Sequence, residues 1–180
     1  MHDSKVIRPA RWRTAFAATL ALLAAGCGHA PHGVEPVRGF QLERYLGRWY
    51  EVARLDHGFE HGLEQASATY TLQGDGTVRV VNRGFDPVKK EWREAVGRAR
   101  FVGAKDVGML EVSFFGPFYG GYNVVDVDPG YSIALVVGPT RSYLWILARV
   151  PDPPAESVAR LKREAQALGF DTGALVYPKH

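Results

Sequence analysis

Ala66-Ser67-Ala68-Thr69-Tyr70-Thr71-Leu72, then Gln73-Gly74-Asp75-Gly76-Thr77, then Val78-Arg79-Val80-Val81-Asn82: this stretch decides the fold class. In an extended chain Ala68, Tyr70 and Leu72 share one face, with Ser67, Thr69 and Thr71 on the other. Gly74-Asp75-Gly76 supplies a turn, after which Val78, Val80 and Asn82 oppose Arg79, Val81 and Arg83. The result is a hairpin with one mixed apolar face. The same pattern continues outward. Further strands are expected at Arg48–Ala53, Ala95–Val102, Met109–Phe115, Tyr122–Val127, Ile133–Val137 and Tyr143–Arg149, giving eight in roughly 100 residues, the spacing of an antiparallel sandwich or barrel. One helix follows. Asp152 is its expected cap, Pro153 and Pro154 suit its first turn, and Gly169 closes it. Val158, Leu161, Ala165 and Leu168 fall on one helical face, so it lies on the surface of something. The chain contains no internal repeat and no second domain.

With 180 residues, 46% of them hydrophobic and 23% charged, the chain has the length of one globular domain. Its formal charge of +3 arises at the start, where Lys5, Arg8, Arg11 and Arg13 face only Asp3. From Cys27 onward 18 Lys/Arg balance 18 Asp/Glu, which argues against a nucleic-acid-binding body. A single cysteine excludes an intrachain disulfide framework and a cysteine-based zinc site.

After the basic stretch, Thr14 to Ala25 runs without a charge, too short for a membrane-spanning helix but right for a signal-peptide core. It leads into Leu23-Ala24-Ala25-Gly26-Cys27, which resembles a bacterial lipobox. That resemblance implies cleavage before Cys27, lipidation of its sulfur (with palmitate as a usual acyl group) and acylation of its new amine. Several buried acyl chains anchor firmly where one does not. Gly28 rather than Asp after the cysteine resembles the outer-membrane sorting pattern, so the expected location is the outer membrane, periplasmic face. Residues 1–26 are thus expected to be a signal peptide. Residues 27–38, with two prolines and two glycines, are expected to be a tether.

Small Gly97 and Ala99 share a face with Phe101, opposite Arg98 and Arg100. Such a mixed interior leaves room, and an eight-stranded barrel can hold one small ligand. A filled barrel is the alternative.

Three motifs in order carry a family resemblance. Gly47-Arg48-Trp49-Tyr50-Glu51 resembles the G-x-W opening of lipocalins. Asp126-Val127-Asp128-Pro129-Gly130-Tyr131 resembles the family's acidic-then-tyrosine loop, loosened by Pro129 and Gly130. Tyr143 to Arg149 resembles its last strand, which ends in arginine. Ser113-Phe114-Phe115-Gly116-Pro117-Phe118-Tyr119-Gly120-Gly121-Tyr122-Asn123 narrows the likeness to bacterial outer-membrane lipocalins, with apolipoprotein D types as eukaryotic relatives. The resemblance implies an all-β fold: an eight-stranded up-and-down antiparallel barrel over residues 39–180, with one C-terminal helix packed outside. It implies that Gly47, Trp49 and Arg149 are structural, with the Arg149 guanidinium over the Trp49 ring. By the same likeness Tyr70, Asn82, Phe114, Tyr122 and Trp145 occupy ligand-binding positions. Strand alternation adds Leu72, Phe101, Leu110 and Val112 to the expected interior. Glu51 shares the parity of Trp49, and its partner is not legible.

The expected function is to bind, store or transport fatty acids or lysophospholipids at the outer membrane. No cofactor is implied and the chain is not expected to be an enzyme. The alternative is a lipocalin-fold enzyme or scavenger acting on lipid or oxidised amphiphiles. His57-Gly58-Phe59-Glu60-His61 matches an H-x-x-E-H zinc motif, but Gly58 and Gly62 weaken the helix that chemistry requires, so a mouth loop is expected there. Asp126, Asp128 and Gly130 faintly resemble a calcium loop without its remaining ligands. Glu91 and Glu94 read as solvated. Phe59 and the Gly116–Gly121 hairpin are expected at the open end. There Phe118 and Tyr119 suit a membrane or a second copy of the chain in a homodimer.

Replacing Cys27 tests the anchor. Cys27→Ser should abolish incorporation of labelled palmitate and release the protein from the outer-membrane fraction. Unchanged fractionation, with no label in the wild type, would refute the lipobox.

Overall fold

The computed structural model describes residues 30–180; Cys27 and the signal segment lie outside the described residues. A short helix, α1 (Leu42–Tyr45), leads into eight strands: β1 (Gly47–Leu55), β2 (Glu64–Leu72), β3 (Val78–Asp86), β4 (Glu91–Phe101), β5 (Met109–Phe115), β6 (Phe118–Val127), β7 (Ile133–Val137) and β8 (Leu144–Ala148). Each strand pairs antiparallel with the next. β1 also pairs with β8, which closes the barrel. Helix α2 (Ala155–Ala167) and a two-residue strand, β9 (Leu175–Val176), follow, β9 adding to β1 beside Arg54 and Leu55.

Two apolar clusters explain the composition of the strands. One fills the lower half of the barrel, around Trp49, Tyr70, Val80 and Leu110. The other lies outside, between the wall and α2, and holds Leu135, Ile146, Leu161 and Ala165. β7 and most of β8 therefore bury both faces, which is why Ile133-Ala134-Leu135-Val136-Val137 does not alternate. The helix contributes its expected face, with Leu161 and Ala165 fully buried and Val158 and Leu168 packed beside them. Its cap differs from expectation. Pro154, in extended conformation, occupies the N-cap position and Asp152 lies two residues outside, because the second proline's carbonyl already receives the Ser157 and Val158 amides. The C-terminal end closes at Gly169 as expected. The Gly169 amide donates to the Gln166 carbonyl and the Phe170 amide to that of Ala165, a Schellman pair.

The floor depends on Arg149. Its guanidinium carbon lies 4.0 Å from the centre of the Trp49 ring. Its nitrogens donate to the carbonyls of Arg44 (2.7 Å), Arg48 (2.8 Å) and Tyr131 (3.2 Å). Trp49 Nε1 donates to the Tyr45 carbonyl at 2.7 Å, so α1 is tied to the first strand across the barrel axis. Gly47 enters β1 at φ +92°, and a Cβ there would sit 3.4 Å from Arg149 Nη1. The motif's glycine is thus required by its backbone conformation.

The expected tether over residues 27–38 is shorter than the sequence suggests. Pro31 is buried, Val34 is only 4% exposed within the outer cluster, and Val37 exchanges backbone hydrogen bonds with Val124 and Gly108. Isolated apolar residues between prolines carry no periodic signal, so this docking is invisible in sequence.

Trp49→Ala should cost about 3–5 kcal/mol, as for other large aromatics removed from cores, whereas Val88→Ala at an exposed turn should stay within about 0.5 kcal/mol. Denaturant midpoints measure both. Equal shifts would refute the role of the floor.

Candidate functional site: the calyx and its mouth

Above the floor the barrel encloses a cavity of about 600 Å3, open at one end and lined mainly by apolar side chains. That is within the usual range of small-molecule pockets. Small residues on β2 and β4 create the space: Ala66, Ala68, Ala95 and Ala99 face large groups on the opposite wall. Gly97 has a related role. A Cβ there would lie 2.8 Å from the Phe114 ring and from the Ser113 carbonyl, so the glycine lets Phe114 lie against the wall.

Tyr70, Asn82, Phe114, Tyr122 and Trp145 all line the cavity, as do Leu110 and Val112. Phe101 and Leu72 do not. Phe101 packs edge-on against Phe40 with ring centres 6.2 Å apart, at the closed end, and Leu72 is 43% exposed. Alternation assigned the face correctly in both cases. However, each residue ends its strand beyond the floor, and parity carries no information about depth.

Tyr122 is the centre of a hydroxyl chain in the lower cavity. Its hydroxyl lies 2.6 Å from that of Tyr45 and 2.7 Å from that of Tyr70. Burial pushes all three phenols above their ordinary range, so they remain neutral. Two mutual bonds use two of three O–H donors, leaving one hydrogen for another acceptor, such as a ligand oxygen. Tyr45 was not among the expected lining residues, since it precedes the first strand and no period places it.

The upper wall carries charge. Glu51 and Arg54 are 3% and 2% exposed. Arg54 Nη1 donates to Glu51 Oε2 at 3.3 Å, and Nη2 donates to the Glu60 carbonyl at 2.7 Å. Glu60 Oε2 accepts from Trp145 Nε1 at 3.0 Å and lies 4.0 Å from Arg54 Nε. Simple alternation would place Glu51 and Ala53 inside and Arg54 outside. Instead the register slips between Glu51 and Ala53: Glu51 faces Leu147, Ala53 faces Ile146 and Arg54 faces Trp145. The bulge turns Ala53 toward the helix and brings Arg54 into the interior, where it is the partner that Glu51 needs. Burial first, then the neighbouring Glu60, raises Glu51 well above the carboxylate range, and burial raises Glu60 as well.

The H-x-x-E-H residues separate. The His57 ring packs 4.8 Å from both Tyr143 and Trp145, and burial lowers its pKa. His61 is exposed and bonded to Asp56. The two imidazoles thus serve different partners, and Glu60 is committed to Trp145 and Arg54. Asp128 accepts from the backbone of Gly130, Ser132 and Ile133, and Asp126 forms a two-pronged pair with Arg160, so that segment is a braced turn.

The pH dependence of stability has a definite sign. A Glu51 carboxyl raised above its ordinary value of 4.5 gives the folded state a proton that the unfolded chain has released. The resulting stability is complete below about pH 4.5 and is lost as the pH rises through the raised value. Glu51→Gln should therefore lose less thermal stability than the wild type between acid and mildly alkaline pH. Parallel melting-temperature profiles would refute the buried, protonated Glu51.

Residues 40–180 match the lipocalin-like domain. The chain is 46% identical over 166 residues to the outer membrane lipoprotein Blc of Vibrio cholerae, covering 92% of this chain and 97% of that one. It is 47% identical over 163 residues to the Blc of Escherichia coli K12, covering 89% and 92%. Rat apolipoprotein D is 31% identical over 130 residues, 68% of each chain. Among solved structures, insecticyanin of the tobacco hornworm Manduca sexta superposes with a TM-score of 0.65 at 19% identity, over 85% of this chain and 87% of that one, a likeness of fold. The braced floor, the one-ended calyx and these similarities lead to one conclusion: the chain belongs to the lipocalin family, in its branch of bacterial outer-membrane lipoproteins.

Proposed function

We propose that the calyx takes up a single-chain amphiphile, a fatty acid or lysophospholipid, at the outer membrane, and that Cys27 is the lipidated anchor. The observation that carries this reading is the shape and lining of the cavity: apolar, open at one end, about 600 Å3, with few polar groups. An acyl chain needs a continuous apolar lining, and its burial contributes about 25 cal/mol per Å2. Its tail lies between Tyr70, Val112, Phe114 and Trp145. Its polar end stays toward the mouth, near Asn82 and the Arg54–Glu60 pair. A carrier rather than an enzyme is proposed, since the wall carboxylates are already engaged by Arg54 and Trp145. Release and uptake of lipid are then matters of population at the mouth.

Trp145 makes the binding measurable. Lysophospholipid should change its fluorescence saturably, and native mass spectrometry should show one unaltered lipid per chain. Ala99→Phe with Val112→Phe, which fills the cavity, should weaken binding at least tenfold. Undiminished affinity in that double variant would defeat the carrier, and a chemically altered lipid would favour an enzyme.

A further inference from the structure

The first described residues climb the outside of the barrel. Phe40 belongs to the closed floor, Val37 is hydrogen-bonded to Val124 and Gly108, and Val34 packs beside α2. Further toward the N-terminus, the His32 carbonyl accepts from Arg141 Nη2 at 2.8 Å, while Arg141 Nε donates to the Leu168 carbonyl at 3.0 Å. Arg141 sits in the β7–β8 turn, whose Gly138, Pro139 and Tyr143 line the mouth of the cavity. Cys27 precedes His32 by five residues, so a fully extended chain reaches about 18 Å at most. The described chain therefore begins at the mouth end, and an anchor at Cys27 would stay within that reach of it.

A second observation lies on the same end. Phe59 (54% exposed), Val88 (89%), Phe115 (81%) and Phe118 (79%) come from three separate mouth connections. Exposed apolar groups gathered at one end of a protein mark interaction surfaces, and aromatic side chains favour the membrane interface. The closed-end turns carry Gly74-Asp75-Gly76, Lys105-Asp106 and Asp128-Pro129-Gly130 in their place. Phe59, Phe115 and Phe118 also border the cavity itself.

We propose that the open end of the calyx docks onto the bilayer that holds the chain's own lipid anchor, with the mouth aromatics in the headgroup layer; this rests on Cys27 being the lipidated residue. The anchor supplies affinity and the rim supplies orientation. A single-chain lipid then passes between bilayer and calyx along a continuous apolar path. Without that path, each exposed CH2 group would cost about 0.8 kcal/mol.

The test uses the full lipidated protein in phosphatidylethanolamine–phosphatidylglycerol vesicles. With Cys27 acylated, Phe118→Cys or Asp75→Cys provides the one free thiol for an environment-sensitive NBD fluorophore. At position 118, emission should shift to the blue when vesicles are added and fall at least twofold with doxyl-labelled lipids. At position 75, on the closed-end turn, it should do neither. Equal quenching at both positions, or quenching at 75 alone, overturns the proposal. A blue shift at 118 that needs no vesicles and grows with protein concentration also overturns it, by placing a second copy on the rim. Lysophospholipid titration of Trp145 in the same samples reads the carrier reading separately, so loss of quenching with binding retained refutes the docking alone.

Discussion

Arg149 stacked on Trp49 is the contact on which the rest of the barrel depends. A closed barrel needs its ends sealed, and at this end one guanidinium reaches carbonyls from α1, the start of β1 and the β6–β7 turn. The carbonyls of Arg44 and Tyr131 lie outside the strands, and a neutral side chain could not satisfy all three at once. A fixed planar fork with five donors can, and its face remains available for the indole. The contact with the ring contributes about 0.5–2 kcal/mol depending on desolvation. Because the seal is made by a compact cluster at one end, the opposite end is free to remain open.

The seal also determines what the interior can contain. Directly against it, at the bottom of the cavity, aromatic rings fill the space: Tyr45 lies 4.7 Å from Trp49 and 5.3 Å from Tyr70, centre to centre. Above it, alanines on β2 and β4 leave the volume that large residues would have taken. Polar groups in such a space must satisfy one another, since an unpaired buried polar group is costly. The tyrosine hydroxyls do so in a chain. Glu51, Arg54, Glu60 and Trp145 do so in a network in which the arginine's charge offsets the carboxylates, with Arg54 Nε alone left to a 4.0 Å ionic contact with Glu60. Removing one member of such a network is worse than never having built it, because the remaining charge stays buried.

The outer layer links the barrel to its surroundings. α2 covers the doubly buried β7 and β8, and its C-terminal turn meets the β7–β8 loop through Arg141. The same arginine holds the chain at His32, so the segment leaving the body starts from the mouth end.

By itself the sequence determined the fold class, the strand order and the family. Alternation in Ala66–Asn82, the turn signals and the helical face at Val158, Leu161, Ala165 and Leu168 are local patterns, and local patterns are legible without a structure. Trp49 and Arg149 were legible for a different reason, as members of motifs in a fixed order. Much of the cavity wall was legible too: Tyr70, Asn82 and Phe114 from parity as well as from resemblance, Tyr122 and Trp145 from resemblance alone. Tertiary structure decided what parity cannot express. Depth along the barrel moved Phe101 and Leu72 out of the cavity. The slip between Glu51 and Ala53 turned Arg54 inward, because a bulge reverses every face beyond it and leaves no mark in composition. Packing of Pro31 and Val34 on the outer wall shortened the expected tether. Such features depend on contacts between residues far apart in the chain, and a one-dimensional period records only which neighbours share a face.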